Sequence, residues 1–393
     1  MAKKLTSCIG IDIGSRSIKI AEVRNQGKDI VVSAIGMIDT PEGAVDHTGV
    51  YNSDAVGAAI KKLISDSGAS VPSVVVSVAG QASVLVRTLE VPKMNDKELA
   101  EHMQWEINRN IPFSESTVVS DFKPLGGEDP ASQNMDVVMA ISPQSAIDTL
   151  IACVKKAGRQ LAAIDVEPLG LARSLKVSYE DAFENQTVCL VDIGHKTTAI
   201  NIYKDGKLLL PRQVPIGGEM FTKAIADHMS VGNEEAENLK QTQGDASTVT
   251  VSNPFASASP TFQPYNPFSD DASAPAAGDA PAEDSTAIAP SASNPQVGTA
   301  LAGVLDEFMA ELRRSIDYFK SRGGDVNAIC LAGGGSKLRG LNKFVEGALG
   351  IRCDVYDPLR RLNVNVRKVA PDFIESHKEE FAVAIGNGLH VVF

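Results

Sequence analysis

The sequence predicts an α/β fold made of two related halves. The first observation is the stretch at residues 10–19, GIDIGSRSIK, whose pattern recurs half a chain later at residues 191–198, VDIGHKTT. Each copy follows an apolar run and precedes an alternating one, which is typical of a β-hairpin with a tight bend. The second observation is that strand-like and helix-like segments alternate around both copies. A duplicated α/β fold explains both observations.

The bend of each hairpin has the composition of a phosphate-binding turn. Gly14 and Gly194 permit backbone conformations that aim several N–H groups at an anion. Asp12 and Asp192 end the two strands, where a carboxylate can hold Mg²⁺ through water. One such turn is equally compatible with a purely structural role, but two copies in register favour a nucleotide. The remaining candidate ligands in the hairpins are Ser15, Arg16, Ser17, Lys19, Thr197 and Thr198.

The composition is that of a globular protein with several domains. The chain has 393 residues, 43% hydrophobic and 22% charged, which is enough for two or three domains. Its net charge of −12 argues against nucleic-acid binding, which needs a basic surface. No apolar run reaches the roughly 20 residues of a transmembrane helix, and the N-terminus does not resemble a signal peptide. Five scattered cysteines predict small core side chains in a reducing compartment, so we expect a cytoplasmic protein.

The first half is predicted to contain one domain and an inserted subdomain. Residues 1–80 show the order β-β-β-α-β, with a helix at 53–67. The pattern changes at residue 81, and residues 81–166 read β-α-β-β-α-β, which we interpret as a compact insert. The first helix of the insert is predicted to begin after Asn95, because Glu98 completes a capping box.

The second half is predicted to contain helices at 217–242 and 298–322, separated by a loop. Residues 243–297 are rich in Ser, Ala, Pro and Thr, and this composition predicts disorder. An alternative is a docking tether, because Asn-Pro-Phe occurs at 253–255 and again at 266–268.

A glycine-rich turn follows a predicted buried strand at 328–331. Its residues are Gly333, Gly334, Gly335 and Ser336. Such turns allow close approach of a ligand, although they also occur in Rossmann sites and in turns that only pack closely. The chain closes with a predicted helix at 379–390 that is rich in small residues.

The order of two phosphate hairpins followed by a glycine-rich turn resembles the actin, Hsp70 and sugar-kinase superfamily. Glu167 and Pro168 add to the resemblance, since the superfamily has a Glu-Pro-x-x-x-Ala motif there, although Glu before Pro also suits an ordinary helix N-terminus. The resemblance implies two RNase H-like domains around a nucleotide cleft. The implied division is domain IA at 1–80 and 167–187, an FtsA-type inserted subdomain 1C at 81–166, domain IIA at 188–216 and 323–393, subdomain IIB at 217–242 and 298–322, and the loop at 243–297.

Within that superfamily the sequence is similar to the branch of FtsA and PilM proteins. Residues 215–222 and 235–240 fit both families, whereas Trp105 with residues 111–113, and residues 314–319, resemble the PilM family of type IV pilus assembly proteins. The resemblance covers nearly the whole chain apart from the loop at 243–297.

The resemblance implies a site for ATP and Mg²⁺. Asp12 and Asp192 would organise Mg²⁺, and Glu167 would position the attacking water. Lys19 would contact phosphate, although a solvated strand lysine is an alternative. Arg16 departs from the small residue often found in this motif, but a turn that works through backbone N–H groups tolerates it. The other implied ligands are Gly14, Ser15, Ser17, Gly194, Thr197 and Thr198 for phosphates, Gly217, Gly218, Gly333, Gly334, Gly335 and Ser336 for the nucleoside, and Lys240 and Arg314 for ribose or base.

The resemblance further implies an ATP-binding scaffold with slow hydrolysis at most. PilM-like proteins lie at the cytoplasmic face of the inner membrane and grip the tail of a bitopic PilN-type protein, here in a groove near residues 84–113. Membrane association would then come only through partners. An FtsA-like filament former is the first alternative, although residues 388–393 lack a basic amphipathic helix. A small-molecule kinase is the second, although the insert shows no acceptor motif.

Overall fold

A computed structural model describes residues 5–114, 117–126, 132–249 and 294–393. The strands are β1 Ser7–Ile13, β2 Ser17–Gln26, β3 Asp29–Asp39, β4 Ser73–Val78, β5 Leu85–Pro92, β6 Val118–Pro124, β7 Asn134–Pro143, β8 Gln160–Val166, β9 Thr187–Ile193, β10 Thr198–Lys204, β11 Lys207–Val214, β12 Ala328–Ala332, β13 Cys353–Val355 and β14 Asn363–Val364. The α-helices are α1 Ser53–Ser67, α2 Asp96–Asn110, α3 Gln144–Lys156, α4 Glu167–Tyr179, α5 Gly218–Met229, α6 Asn233–Gln243, α7 Pro295–Ser321, α8 Leu341–Leu349, α9 Pro371–His377 and α10 Ala382–Gly388.

The two halves repeat the same sheet plan. In the first domain β1, β2 and β3 are antiparallel, and β4 returns parallel to β1 in the order β14-β3-β2-β1-β4-β8. In the second domain β9, β10 and β11 are antiparallel, and β12 returns parallel to β9 in the order β11-β10-β9-β12-β13. The predicted duplication is therefore visible strand by strand, and each predicted hairpin forms at its predicted position.

The inserted subdomain is shorter than the predicted 81–166. Its own sheet has the order β5-β7-β6, whereas β8 pairs in parallel with β4 and extends the first domain's sheet. Helix α3 packs against α1 of that domain through Leu150, Cys153 and Val154. The prediction failed here because local periodicity does not reveal which sheet a buried strand joins.

The insert lies against both domains and carries α2 on its far side. Asn95 and Glu98 form the predicted capping box, and the buried face of α2 packs on one face of the β5-β7-β6 sheet. Because successive side chains alternate, Val138 of β7 points to the opposite face, where it packs in one cluster with Leu208 of the second domain. Trp105 is 54% exposed on the outer face of α2, so it points away from both domains.

The end of the chain, from β14 onward, packs on the first domain, whereas β12 and β13 stay in the second domain to which all of 323–393 was assigned. Strand β14 pairs in parallel with β3, and α10 packs on β1, β2 and α4. Small residues on both elements allow this contact. Gly10 lies in β1, and a Cβ added to it would lie 2.0 Å from the carbonyl oxygen of Ala384 in α10. Likewise a Cβ on Gly386 would lie 2.0 Å from the Gly170 carbonyl oxygen. Only glycines allow the helix to approach this closely.

Both edges of the predicted disordered loop at 243–297 are ordered. A short 3₁₀ helix spans Ala246–Thr248 with Ala246 buried. Helix α7 begins at Pro295, capped by the side chain of Asn294, and Val297 is buried. The prediction for the remainder of the loop, including the Asn-Pro-Phe motifs, lies outside the described residues.

The cysteines are core side chains, as predicted. All five are buried thiols without disulfide bonds, and burial raises their pKa values above the ordinary thiol value. Within the part of the chain that the structure describes, no helix is long and apolar enough to cross a bilayer.

A buried carboxylate in the first sheet should make stability depend on pH. Glu22 is 2% exposed and accepts hydrogen bonds from the Ser70 and Val71 backbone N–H groups (2.6 and 3.0 Å), the Ser33 hydroxyl and Arg24. Burial alone would raise the pKa of Glu22, but these donors outweigh it and lower the pKa. The stabilisation is therefore present above the unfolded carboxyl pKa and lost as pH falls through the folded one.

We expect Glu22→Gln to lower the free energy of unfolding by about 1–3 kcal/mol at pH 7. Urea denaturation at pH 7 and again in acid should show the difference from wild type shrinking as pH falls. Glu42→Gln, at an exposed turn position, is the matched control and should change little. An equal effect of both substitutions, or a difference that grows in acid, would contradict this account.

Candidate functional site

A cleft of about 500 Å³ lies between the two domains, with the bends of both hairpins on its walls. The repeat places the β1–β2 bend on one side and the β9–β10 bend on the other. Most of the predicted ligands line it: Asp12, Gly14, Ser15, Arg16, Ser17, Lys19, Glu167, Asp192, Gly194, Thr197, Gly218, Lys240, Gly333, Gly334 and Gly335.

The two bends share one backbone geometry. The Gly14 N–H donates to the Ser17 carbonyl at 3.2 Å, and the Gly194 N–H donates to the Thr197 carbonyl at 2.9 Å. A Cβ on either glycine would lie about 3 Å from the same carbonyl oxygen, at 3.0 Å for Gly14 and 2.9 Å for Gly194. Each bend therefore depends on glycine for its tightness.

Lys19 is held on the cleft wall by Asp12. Its Nζ lies 3.1 Å from Asp12 Oδ2, across the first hairpin where the two residues are register partners. Burial opposes the charge of Lys19, but Asp12, Glu380 and Asp192 outweigh it and raise the lysine pKa. Lys19 is therefore charged at neutral pH, and the solvated-lysine alternative does not describe its surroundings.

Carboxylates outnumber cations at the base of the cleft. Burial, followed by the charges of Asp12 and Asp192, raises the pKa of Glu167 to about 8. Burial, followed by the charge of Asp12, raises the pKa of Asp192 to about 7, and Lys19 opposes both shifts. Crowded acidic groups of this kind suit a divalent cation, which would relieve their repulsion.

The carboxylates are not arranged as a complete metal cage. Across residues 5–114, 117–126, 132–249 and 294–393, no group of three His, Cys, Asp or Glu side chains is close enough to hold an ion alone. This arrangement fits a hydrated Mg²⁺ that takes its other ligands from water and phosphate, as Mg²⁺ commonly does.

The glycine-rich turn packs directly on the second hairpin. Gly333 has φ +78°, and a Cβ there would lie 2.3 Å from Asp192 Oδ1. A Cβ on Gly335 would lie 2.2 Å from Ile193 Cγ2. The absence of side chains at these positions keeps the turn against β9 and leaves its backbone facing the cleft.

Lys240 of α6 forms hydrogen bonds with α5 at the edge of the cleft. Its Nζ donates to the Gly218 carbonyl (3.0 Å), the Thr222 hydroxyl (2.7 Å) and Glu237 Oε2 (2.7 Å). Burial is the main cause that lowers its pKa. The N-terminus of α5 is also fixed, since the Gly218 N–H donates to the Gly194 carbonyl at 2.9 Å.

Four predicted ligands do not line the cleft. The buried Thr198 hydroxyl donates to the Ile216 carbonyl at 2.6 Å, and the buried Ser336 hydroxyl donates to the Gly333 carbonyl at 2.7 Å. Gly217 packs directly against the backbone of the second bend, because a Cβ there would lie 2.4 Å from the His195 carbonyl oxygen. Arg314 is exposed on α7, where it forms an ion pair with Glu311, and it does not line the cleft.

Several residues of the cleft wall were not among the predicted ligands. Lys196 could have been found by aligning the two hairpins, because it occupies the position in the second hairpin that Arg16 occupies in the first. Glu380 could not have been found in this way, because only the packing of the chain end on the first domain brings it to the cleft. The missed residues are His195, Lys196, Gln213, Glu237, Gln241, Lys337, His377 and Glu380.

The duplicated domains around this cleft define an actin-like ATPase fold. MreB5 of Spiroplasma citri bound to ADP is similar, with a TM-score of 0.50 and 12% identity over 98% of this chain and 95% of that one. The protein EutJ of Carboxydothermus hydrogenoformans is similar as well, with a TM-score of 0.53 and 14% identity over 99% and 92% of the chains. At these identities the likeness concerns the fold.

The chain belongs to the family of the type IV pilus assembly protein PilM, whose sequence profile matches residues 10–260. The structure of a PilM–PilN type IV pilus biogenesis complex is similar over 100% of both chains, with a TM-score of 0.78 and 25% identity. The predicted fold class and family are thereby confirmed.

Cell division protein FtsA is a more distant relative. Its profile matches residues 189–386. FtsA of Bacillus subtilis is 36% identical over 100 residues, which are 25% of this chain and 22% of that protein. FtsA of Neisseria meningitidis serogroup B is 25% identical over 265 residues, 61% of this chain and 62% of that protein. The chain therefore spans less than two thirds of the length of these relatives.

Proposed function

We propose that the protein is an ATP-binding scaffold of type IV pilus assembly that holds the cytoplasmic tail of a PilN-type membrane protein. The observation that carries this proposal is the likeness to the PilM–PilN complex over the whole of both chains. In this function the protein works in the cytoplasm and is held at the inner membrane by its partner.

The cleft supports the nucleotide part of the proposal. The two bends and Lys19 would hold the phosphates, Asp12 and Asp192 would hold hydrated Mg²⁺, and the glycine-rich turn would lie against the nucleoside. Bound Mg²⁺ would supply charge neutralisation for the phosphates. Glu167 lines the cleft near Asp12 and Asp192 and would position the attacking water. We expect hydrolysis to be slow at most, because the main work of the site would be to set the closure of the two domains.

The seam between the insert and the first domain supports the partner part. It adjoins the predicted region 84–113 and is bordered by β6 and β8, which are outer strands of their sheets. The Gln144 N–H of α3 donates to the Thr117 carbonyl just before β6, which fixes this strand near the first domain. An extended peptide can add to an outer strand through its backbone and place alternate side chains in pockets. Val119, 39% exposed on β6, is an apolar side chain available to such a peptide.

The experiment is a calorimetric titration of the full chain with a synthetic PilN-type N-terminal peptide, with and without Mg·ATP. We expect saturable binding, and we expect Val119→Asp to weaken it at least about tenfold. The substitution removes roughly one buried apolar contact with the peptide and adds the cost of burying a charge. Trp105→Ala is the control, since Trp105 lies on the far side of the insert. Binding lost in Trp105→Ala and kept in Val119→Asp would move the tail to the outer face of α2. No binding by the folded chain in either nucleotide state would contradict the scaffold function.

An FtsA-like filament former is the alternative that one observation favours, namely the FtsA profile match over residues 189–386. If the protein forms filaments, it should sediment as polymer with Mg·ATP in an ultracentrifuge. If it is a scaffold, it should stay in the supernatant and sediment only together with its PilN-type membrane partner. Polymer formed without the peptide would favour the alternative.

A further inference from the structure

Two cations occupy the same position in the two hairpins. Arg16 is the third residue of the bend that begins at Gly14, and Lys196 is the third residue of the bend that begins at Gly194. Both line the cleft. The repeat of the fold therefore places one positive side chain from each domain on opposite walls.

These two cations lack the close ion pairs of their neighbours. Lys19 lies 3.1 Å from Asp12, Lys240 lies 2.7 Å from Glu237, and Lys337 lies 3.0 Å from Glu380. Lys196 has only the half-exposed carboxylate of Glu219 at 3.8 Å. Among the described residues, Arg16 has no carboxylate within ion-pair distance. The charges of Arg16 and Lys196 are thus available to a ligand.

The positive charges of the two domains face one another across the cleft. Burial is the main cause that lowers the pKa values of His195 and Lys240 in the second domain. The positive charge of Arg16, which belongs to the first domain, lowers both pKa values further. Facing cations repel one another, and an anion between them would remove the repulsion. The arrangement suits a polyphosphate and opposes closure of the two domains without one.

Besides the cleft, Lys196 lines a smaller chamber of about 90 Å³ that opens beside Glu167. Gln213 and Thr197 complete this wall, whereas the glycine-rich turn and Lys240 do not contribute to it. With the nucleoside against the glycines, the terminal phosphate comes nearest to this chamber.

We infer that Lys196 contacts the terminal phosphate and makes the site prefer ATP over ADP, while Arg16 contacts the phosphates that both nucleotides share. The inference rests on the proposed ATP-binding function and adds the residue that distinguishes the two nucleotides. Domain closure then depends on ATP because only the triphosphate bridges Lys196 of the second domain to the first hairpin.

The test is calorimetric titration of Mg·ATP and Mg·ADP into the full chain. Lys196→Ala should lower the affinity for ATP by about tenfold or more, as expected for a lost charged hydrogen bond, and should leave the affinity for ADP within about twofold. Lys196→Arg should restore the preference for ATP. Arg16→Ala should lower both affinities together. Lys204→Ala, an exposed lysine at the far end of β10, is the control and should change neither.

The two proposals fail in different ways. Equal losses for ATP and ADP in Lys196→Ala, or no loss at all, would overturn the role of Lys196 while leaving nucleotide binding intact. A wild-type chain that binds neither nucleotide would overturn the proposed function and this inference together. Thermal unfolding of each variant separates a lost contact from a lost fold, and Lys196 is exposed enough that its substitution should not unfold the protein.

Discussion

Gly10→Ala is expected to lower the free energy of unfolding by about 3 kcal/mol or more, because it separates α10 from the first sheet. A Cβ at this position would lie 2.0 Å from the Ala384 carbonyl oxygen and 2.3 Å from the Gly388 nitrogen. Both are backbone atoms of a buried helix and cannot move aside as a flexible side chain would. Overpacking of this kind costs several kcal/mol when the backbone has to shift.

Chemical denaturation measures this effect against a matched glycine. Gly303 lies in α7, and a Cβ there would meet nothing within 4 Å. Gly303→Ala should therefore raise stability by up to about 1 kcal/mol, the difference in helix propensity. If Gly10→Ala were as stable as wild type, the close packing of α10 on β1 would be wrong.

Asp12→Asn is expected to lower the affinity for Mg·ATP by roughly 100-fold or more. The substitution removes one of the charges proposed to hold hydrated Mg²⁺, and it leaves Lys19 without its carboxylate partner at 3.1 Å. The amide has nearly the shape of the carboxyl group, so the hairpin should still fold. The loss should then concern binding and not the fold.

A fluorescent ATP analogue, displaced by unlabelled ATP, measures this affinity. Asp66→Asn, an exposed position at the end of α1, is the matched control and should bind as wild type does. Removal of Mg²⁺ with EDTA should bring wild type close to the affinity of Asp12→Asn. Unchanged affinity in Asp12→Asn would remove this residue from the site.

The sequence predicted those parts of the fold and site that depend on neighbouring residues. The hairpin bends rest on Gly14 and Gly194, whose N–H groups bond to carbonyls three residues on. The start of α2 rests on Asn95 and Glu98, three residues apart. A repeated local pattern was therefore sufficient to place both walls of the cleft.

The parts that failed depend on contacts between distant segments. No local pattern shows that β8 joins β4, or that Gly386 meets Gly170, because these contacts are fixed by packing of the whole domain. Thr198 has the hydroxyl of a phosphate ligand, yet its hydrogen bond to the Ile216 carbonyl keeps it in the core. Side-chain type indicates what a residue can bind, and its strand face decides whether it reaches the ligand.

The most direct test of the central claim is a crystal structure of the full chain with Mg²⁺ and a non-hydrolysable ATP analogue. We expect the phosphates between the bends at residues 14–19 and 194–197, with the purine against Gly333–Gly335 and Mg²⁺ beside Asp12 and Asp192. An analogue bound elsewhere on the chain, or a cleft that remains empty at saturating nucleotide, would contradict the account.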